Sequence, residues 1–120
     1  MIDLVHLSKK FGSQIAVDNL NLEISKGELF GFLGPNGAGK TTTIKMMAGI
    51  LRPSAGRVLI NDLDIQTQPQ EAKLKIGYVP DTPYLYDRLT AREFLEFMGG
   101  LFHLDKSIIE ERTQEMLDLF

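Results

Sequence analysis

Apolar and polar positions alternate along the first part of the chain, as they do in half-buried strands. The clearest stretch covers residues 17–24, where polar side chains separate Val17, Leu20, Leu22 and Ile24. Upstream, Leu4 and Leu7 interrupt a more polar segment that ends near Phe11, and this segment is predicted to be an edge strand. Lys26-Gly27 follows and is predicted to turn the chain.

The pattern changes at residues 29–33, which are apolar without alternation. Such a run predicts a central strand that is buried on both faces. A glycine-rich loop comes next, and residues 41–50 then continue as a predicted helix. Gly49, or Pro53 shortly after it, is expected to end that helix.

Further short elements fill the middle of the chain. A turn at residues 54–56 leads into a predicted strand at 57–60, and Asn61-Asp62 is expected to form a hairpin turn after it. A brief helix at 70–75 and a strand at 76–79 are predicted next.

The last third of the chain is predicted to be helical. Thr90 and Glu93 have the spacing of a capping box, and apolar residues follow at helical intervals. A second helix is predicted to begin near Asp105 or Ser107 and to run to Phe120.

Composition narrows the class of protein. A chain of 120 residues is enough for one domain, and its net charge of −3 with scattered lysines and arginines argues against a nucleic-acid partner. The absence of cysteine excludes disulfides and thiolate metal sites. Because the sequence has neither a bilayer-spanning apolar run nor a signal peptide, we expect it to be cytoplasmic and to reach a membrane only through a partner.

The glycine-rich loop carries the strongest chemical signal. Gly34, Gly39, Lys40 and Thr41 match the full G-x-x-x-x-G-K-T pattern, after an apolar run and before a helix. Asn36 and Gly37 can both take positive φ, which lets successive backbone N–H groups of the loop turn inward and bind an anion. Lysine in this pattern reaches the β- and γ-phosphates of a nucleoside triphosphate, and the threonine hydroxyl binds Mg²⁺.

Three alternatives compete with this interpretation. An ordinary glycine-rich turn with a solvated lysine is the simplest. A dinucleotide fingerprint begins at Gly37-Ala38-Gly39, but Thr42 stands where its third glycine belongs, and the Lys40-Thr41 pair favours a triphosphate. A guanine-specific switch would need an Asn-Lys-x-Asp run, which this sequence lacks.

Beyond the loop, the chain resembles the N-terminal half of the ATP-binding domain of ABC transporters. The resemblance is carried by residues 7–65, including GPNGAGKTTTIKMMAGILRPSAG, and by KIGYVPDTPYLYDRLTAREFLEF. The second stretch is most similar to ATPase subunits of ABC-2-type exporters. This family implies an α/β P-loop fold with a central P-loop strand, an antiparallel β subdomain and the start of a helical subdomain.

The resemblance implies an ATP and Mg²⁺ site within this chain. Its nucleotide-binding residues would be Gly34, Pro35, Asn36, Gly37, Ala38, Gly39, Lys40, Thr41 and Thr42 of the loop, and Phe11. Phe11 stands where the family has an aromatic residue that stacks on adenine, whereas a core role at a strand end is its alternative. Thr41 and Asp81 would be the metal ligands.

Asp81 departs from the family pattern. It follows Gly77-Tyr78-Val79-Pro80, at the position where the family's Q-loop begins with glutamine. A carboxylate can bind Mg²⁺, but it is shorter than glutamine and adds negative charge beside the phosphates. The alternative is that Asp81 is an ordinary turn residue. Asp81 is also the one candidate for a catalytic residue in this stretch.

Other parts of the family pattern do not occur in the sequence. The Leu-Ser-Gly-Gly-Gln signature is absent, and Gly99-Gly100 falls inside the predicted capped helix. The run ending at Asp62 superficially resembles the family's second metal motif, Walker B, but a hairpin explains it better. We therefore expect residues 1–120 to be a partial ATP-binding domain that stops before the signature and Walker B.

Three functions are consistent with this sequence. The first is an exporter ATPase that couples ATP hydrolysis to transport through a membrane-spanning subunit and pairs with a second ATPase domain. The second is a nucleotide-binding module without catalysis, and the third is a soluble ABC protein acting on nucleic acid. For the first, we expect residues 1–120 alone to bind ATP without hydrolysing it.

Overall fold

A computed structural model describes residues 1–83 and 85–119 of the chain. It contains two compact units, one over residues 1–79 and the other from Pro80 onwards. The first unit holds the glycine-rich loop, and the second holds the helices of the last third. Each is described by itself.

One antiparallel sheet organises the described part of the first unit. Its strands are β1 (Ile2–Phe11), β2 (Gln14–Ile24), β3 (Ala55–Ile60) and β4 (Leu63–Asp64), in the order β2-β1-β3-β4. The edge position predicted for the first strand is therefore wrong, because β1 pairs with β2 on one side and with β3 on the other. Its mixture of polar and apolar residues reflects one buried face, not a free edge.

The core of this unit lies between the sheet and the helices that follow the loop. Leu4 and Leu7 of β1 are both buried although they lie three positions apart, because a register shift between them interrupts the alternation, and Val17 of β2 is buried as well. The remaining members of the cluster come from later elements: Met46, Val58, Ile60, Ile65 and Ala72. This cluster fixes the loop helix against the sheet.

A two-residue hairpin joins β3 to β4. Asn61 and Asp62 have φ of 48° and 66°, and Ile60 pairs directly with Leu63. Two consecutive positive φ angles are the mark of a type I′ turn. The hairpin interpretation of this run is confirmed, so Asp62 sits in a turn and not at the end of a metal-binding strand.

Two helices follow from the predicted patterns in the first unit. Helix α1 (Lys40–Met47) begins within the loop pattern and ends before Gly49, which takes a φ of 65°, so the helix predicted to reach residue 50 is shorter than expected. Helix α2 (Pro69–Lys73) begins with a proline, which suits the first helical turn.

The predicted strands at residues 29–33 and 76–79 are not formed within the described structure. Both segments are irregular, and Leu29 and Leu33 are 100% and 96% exposed. A strand needs a hydrogen-bonded neighbour. Within residues 1–83 and 85–119, the strands of the sheet pair with one another and not with either of these segments. Apolar composition alone therefore does not make them strands.

The described residues of the second unit form two helices. Helix α3 (Ala91–Leu101) starts with the predicted capping box, in which Thr90 N–H donates to Glu93 and Glu93 N–H donates to the Thr90 hydroxyl. Helix α4 (Lys106–Leu119) starts where predicted, while the predicted end at Phe120 lies outside the described residues. Across residues 1–83 and 85–119, none of the helices is long and apolar enough to cross a bilayer.

Candidate functional site

The glycine-rich loop forms one wall of a cavity of about 320 Å³. This volume lies at the lower end of the range of ligand pockets, about 300–1,000 Å³. The opposite wall comes from the β1–β2 hairpin. The lining residues are Phe11, Gln14, Ala16 and residues 36–42.

Seven of the predicted loop positions line this cavity, whereas Gly34 and Pro35 do not. Instead, the carbonyl oxygens of both residues accept hydrogen bonds from the Lys40 ammonium, with a distance of 2.6 Å to the Pro35 oxygen. The lysine is therefore held across its own loop. This contact places the positive charge beside residues 34 and 35, at the start of the loop.

Glycine conformations shape the loop. Gly37 and Gly39 take φ of 85° and 82°, in the left-handed region that favours glycine, whereas Asn36 does not take a positive φ. Gly39 also packs closely on β2: a Cβ there would lie 3.1 Å from Val17 Cγ2 and closer still to the Ala16 carbonyl oxygen. Gly39 is thus required both by its backbone angle and by its neighbour.

The start of α1 is suited to an anion. Gly39 is its N-cap, no side chain caps the first turn, and no acidic residue lies in that turn. The uncapped N–H groups and the positive end of the helix dipole attract negative charge. Thr41 and Thr42 line the cavity beside these groups.

Sequence reasoning missed the role of the third threonine. Thr43 is buried, and its Oγ1 donates a hydrogen bond to the Gly39 carbonyl oxygen at 2.9 Å. It therefore fastens the first turn of α1 to the loop. The run of three threonines gave no signal that separated this buried member from the two that line the cavity.

Sequence reasoning also missed Gln14 and Ala16. Gln14 pairs with Phe11 across the two-residue turn Gly12-Ser13, so the hairpin brings both to the same place. The Gly12-Ser13 turn directly after Phe11 was the sequence signal that could have placed Gln14 next to Phe11. The contribution of Ala16 depends on how β2 meets the loop, which local pattern does not encode.

Phe11 lies on the surface of the cavity and not in the core. Its side chain is 51% exposed, and it is absent from the buried cluster formed by the sheet and α1. The Lys9 ammonium lies 5.2 Å from the centroid of its ring. A half-exposed ring beside a phosphate-type loop is available to a planar group, and the adenine-stacking role of Phe11 stays a prediction.

Asp81 belongs to the second unit and is exposed. Its predicted place beside a metal stays a prediction. In the first unit, Thr41 brings a hydroxyl-bearing side chain to the cavity wall. Mg²⁺ prefers hard oxygen ligands and usually keeps water and phosphate oxygens beside one or two protein ligands, so this hydroxyl fits the ion.

Comparison with known proteins identifies the family. Residues 17–120 match the family model described as ABC transporter. The chain is 38% identical over its full length to the probable multidrug ABC transporter ATP-binding protein YbhF of Escherichia coli, and covers 21% of that protein. It is 35% identical to the Nod factor export ATP-binding protein I of Cupriavidus metallidurans, with 98% of the chain aligned to 39% of that protein.

A solved structure agrees with these sequence matches. The dimeric post-hydrolysis state of the ATP-binding cassette MJ0796, bound to ADP and Pi, aligns with a TM-score of 0.80 and 28% identity. That alignment covers 98% of this chain and 56% of the cassette, so the chain spans about half of that structure and less than half of the two relatives. The predicted α/β fold is confirmed. The chain belongs to the ABC transporter family, and both its sequence and its fold match the ATP-binding part of that family.

Proposed function

We propose that the chain binds Mg·ATP in the cavity between the glycine-rich loop and the β1–β2 hairpin. The observation that supports this most is the meeting of three features in one cavity: residues 36–42 of the phosphate loop, an uncapped helix start and a half-exposed aromatic ring. The first two suit a polyphosphate, and the third suits a base. Together they fit the two ends of a nucleotide.

Each lining group has a distinct task in this proposal. The N–H groups of Gly37, Gly39 and the first turn of α1 bind phosphate oxygens, and the Lys40 ammonium neutralises their charge. The Thr41 hydroxyl is one ligand of Mg²⁺. When bound, this ion neutralises part of the negative charge of the phosphates. Phe11 stacks on adenine.

The activity proposed for the whole protein is ATP hydrolysis coupled to transport, in the direction of export, through a separate membrane-spanning subunit. The names of the two relatives, a probable multidrug transporter protein and an export protein, support transport over an action on nucleic acid. The dimeric state of the MJ0796 cassette supports pairing with a second ATPase domain. The subunit would then work at the cytoplasmic face of the membrane.

This proposal limits what residues 1–120 contribute. They would supply the half-site formed by the glycine-rich loop, which is the Walker A motif of the family. Among these residues, Asp81 is the one candidate for a general base. Hydrolysis needs an aligned water and a group to polarise it. Binding without turnover is therefore the expected property of these 120 residues alone.

Titration with fluorescent ATP in the presence of Mg²⁺ tests the proposal. Lys40→Ala removes a charge-assisted contact worth about 1.5–3 kcal/mol, so the affinity is expected to fall about tenfold to a hundredfold. Lys45→Ala is the matched control, since Lys45 lies in the last turn of the same helix and does not line the cavity. Equal affinities of folded wild type and Lys40→Ala would refute binding at this loop.

A further inference from the structure

The Lys9 ammonium is held between two groups at the end of β1. It lies 5.2 Å from the centroid of the Phe11 ring, within the range of a cation–π interaction. It also donates a hydrogen bond to the Arg52 carbonyl oxygen at 2.7 Å. A lysine side chain loses considerable rotamer freedom when it is fixed at both sites, so the two contacts together oppose this entropy cost.

The Arg52 carbonyl is itself tied to the loop helix. Residues 50 and 51 follow α1 after Ala48 and Gly49, and the N–H groups of Ile50 and Leu51 both donate to the Lys45 carbonyl oxygen in its last turn, at 2.9 and 3.0 Å. Lys9 therefore connects Phe11 to the segment that leaves α1. The start of the same helix forms the phosphate end of the cavity.

Two further hydrogen bonds hold this junction in place. Ser54 N–H donates to the Ser8 carbonyl oxygen at 2.8 Å, and Lys10 N–H donates to Ser54 Oγ at 3.1 Å. They fix the backbone of β1 on either side of Lys9, but they leave the Phe11 ring free to rotate about its own side-chain bonds. Within the described residues, the ammonium of Lys9 is the charged group that lies over this ring.

Lys9 does not line the cavity, whereas Phe11 does. The ammonium thus lies over the ring without being part of the cavity wall that the ring helps to form. We infer that Lys9 is a positioning residue for the nucleotide base: it fixes the Phe11 ring relative to α1, so that one face is presented to adenine. The inference rests on the proposed stacking role of Phe11.

Comparison of two ligands separates this role from a general effect of charge. Affinities for Mg·ATP and for inorganic triphosphate are measured by calorimetry on the full chain, because triphosphate has no base to stack. The variants are Lys9→Gln, which keeps a hydrogen-bond donor without the charge, Lys9→Arg, which keeps a cation, and Lys10→Gln as the matched control. Phe11→Ala and the double variant Lys9→Gln/Phe11→Ala complete a cycle.

Lys9→Gln is expected to weaken ATP about two- to fivefold and to leave triphosphate unchanged, as loss of an exposed cation–π contact predicts. Lys9→Arg is expected to retain ATP affinity, Lys10→Gln to have no effect, and Lys9→Gln to add nothing once Phe11 is alanine. Unchanged ATP affinity in Lys9→Gln, an equal loss for both ligands, or a full further loss in the Phe11→Ala background would overturn the inference. If Phe11→Ala alone leaves the ratio of the two affinities unchanged, the proposed stacking itself fails. Because Lys9 is unchanged in this variant, that failure is distinguished from a failure of the role inferred for Lys9.

Discussion

Substitution of Gly39 by alanine tests how the phosphate loop is held against the sheet. Gly39 has a φ of 82° and touches the Ala16 carbonyl of β2, so an added methyl group meets both a conformational and a steric obstacle. Gly37 is a matched control within the same loop. Its φ is 85°, yet an added Cβ would have no atom within 4 Å.

The difference between the two variants isolates the packing term. Left-handed backbone costs a non-glycine residue about 1–2 kcal/mol, and Gly37→Ala should lose only this amount. Gly39→Ala should lose this amount together with about 1–3 kcal/mol for overpacking against β2, because the contact is with backbone that cannot move aside as a flexible side chain does. We therefore expect the stability of the first unit to fall by about 2–5 kcal/mol in Gly39→Ala.

Amide hydrogen exchange is the suitable assay, since it reports the free energy of opening in β1 and β2 separately from the second unit. Both variants should show faster exchange in these strands, and Gly39→Ala the larger effect. Equal exchange in Gly37→Ala and Gly39→Ala would refute the close packing of the loop on β2. Equal exchange in the wild type and Gly37→Ala would refute the strained backbone.

Three further predictions concern the metal, pH and turnover. Asp81→Gln should make ATP affinity less dependent on Mg²⁺ concentration if the carboxylate lies beside the ion, and superimposable titrations would leave Asp81 a turn residue. Hydrogen bonds from Thr90 N–H and from its hydroxyl hold the pKa of Glu93 below its ordinary value of 4.5. The stabilisation of α3 by this cap, followed by amide hydrogen exchange, should therefore be fully present above about pH 4.5 and be lost as pH falls through the lowered pKa, whereas Glu93→Gln should remove this dependence. Purified residues 1–120 should release no phosphate from ATP, and steady release that Lys40→Ala abolishes would contradict this.

Local sequence signals predicted those parts of the fold that depend on neighbouring residues. Asn61-Asp62 forms its hairpin because both residues tolerate positive φ, and Thr90 with Glu93 forms its capping box within one turn of helix. The loop and the start of α1 are predictable for the same reason. Their hydrogen bonds close within a few residues along the chain.

Features that depend on distant partners were not predictable in this way. The apolar run at 29–33 has the composition of a buried strand, but strand formation depends on pairing with another segment. The place of β1 in the middle of the sheet depends likewise on β3, which follows some 45 residues later, after the loop and α1. The Lys9 contact with Arg52 joins residues 43 positions apart, beyond any local pattern.

Gly37 and Gly39, which line the cavity with left-handed backbone, offer the most direct test of whether this cavity binds the phosphates of ATP. Amide ¹H–¹⁵N spectra of the labelled chain are recorded during titration with Mg·ATP. We expect saturable shifts concentrated at the N–H groups of Gly37, Gly39 and Lys40, which line the cavity. Phe11 should shift as well, and Gly49, at the other end of α1, should change little. Saturable binding that leaves the loop amides unshifted, or no binding at millimolar nucleotide, would contradict phosphate binding in this cavity.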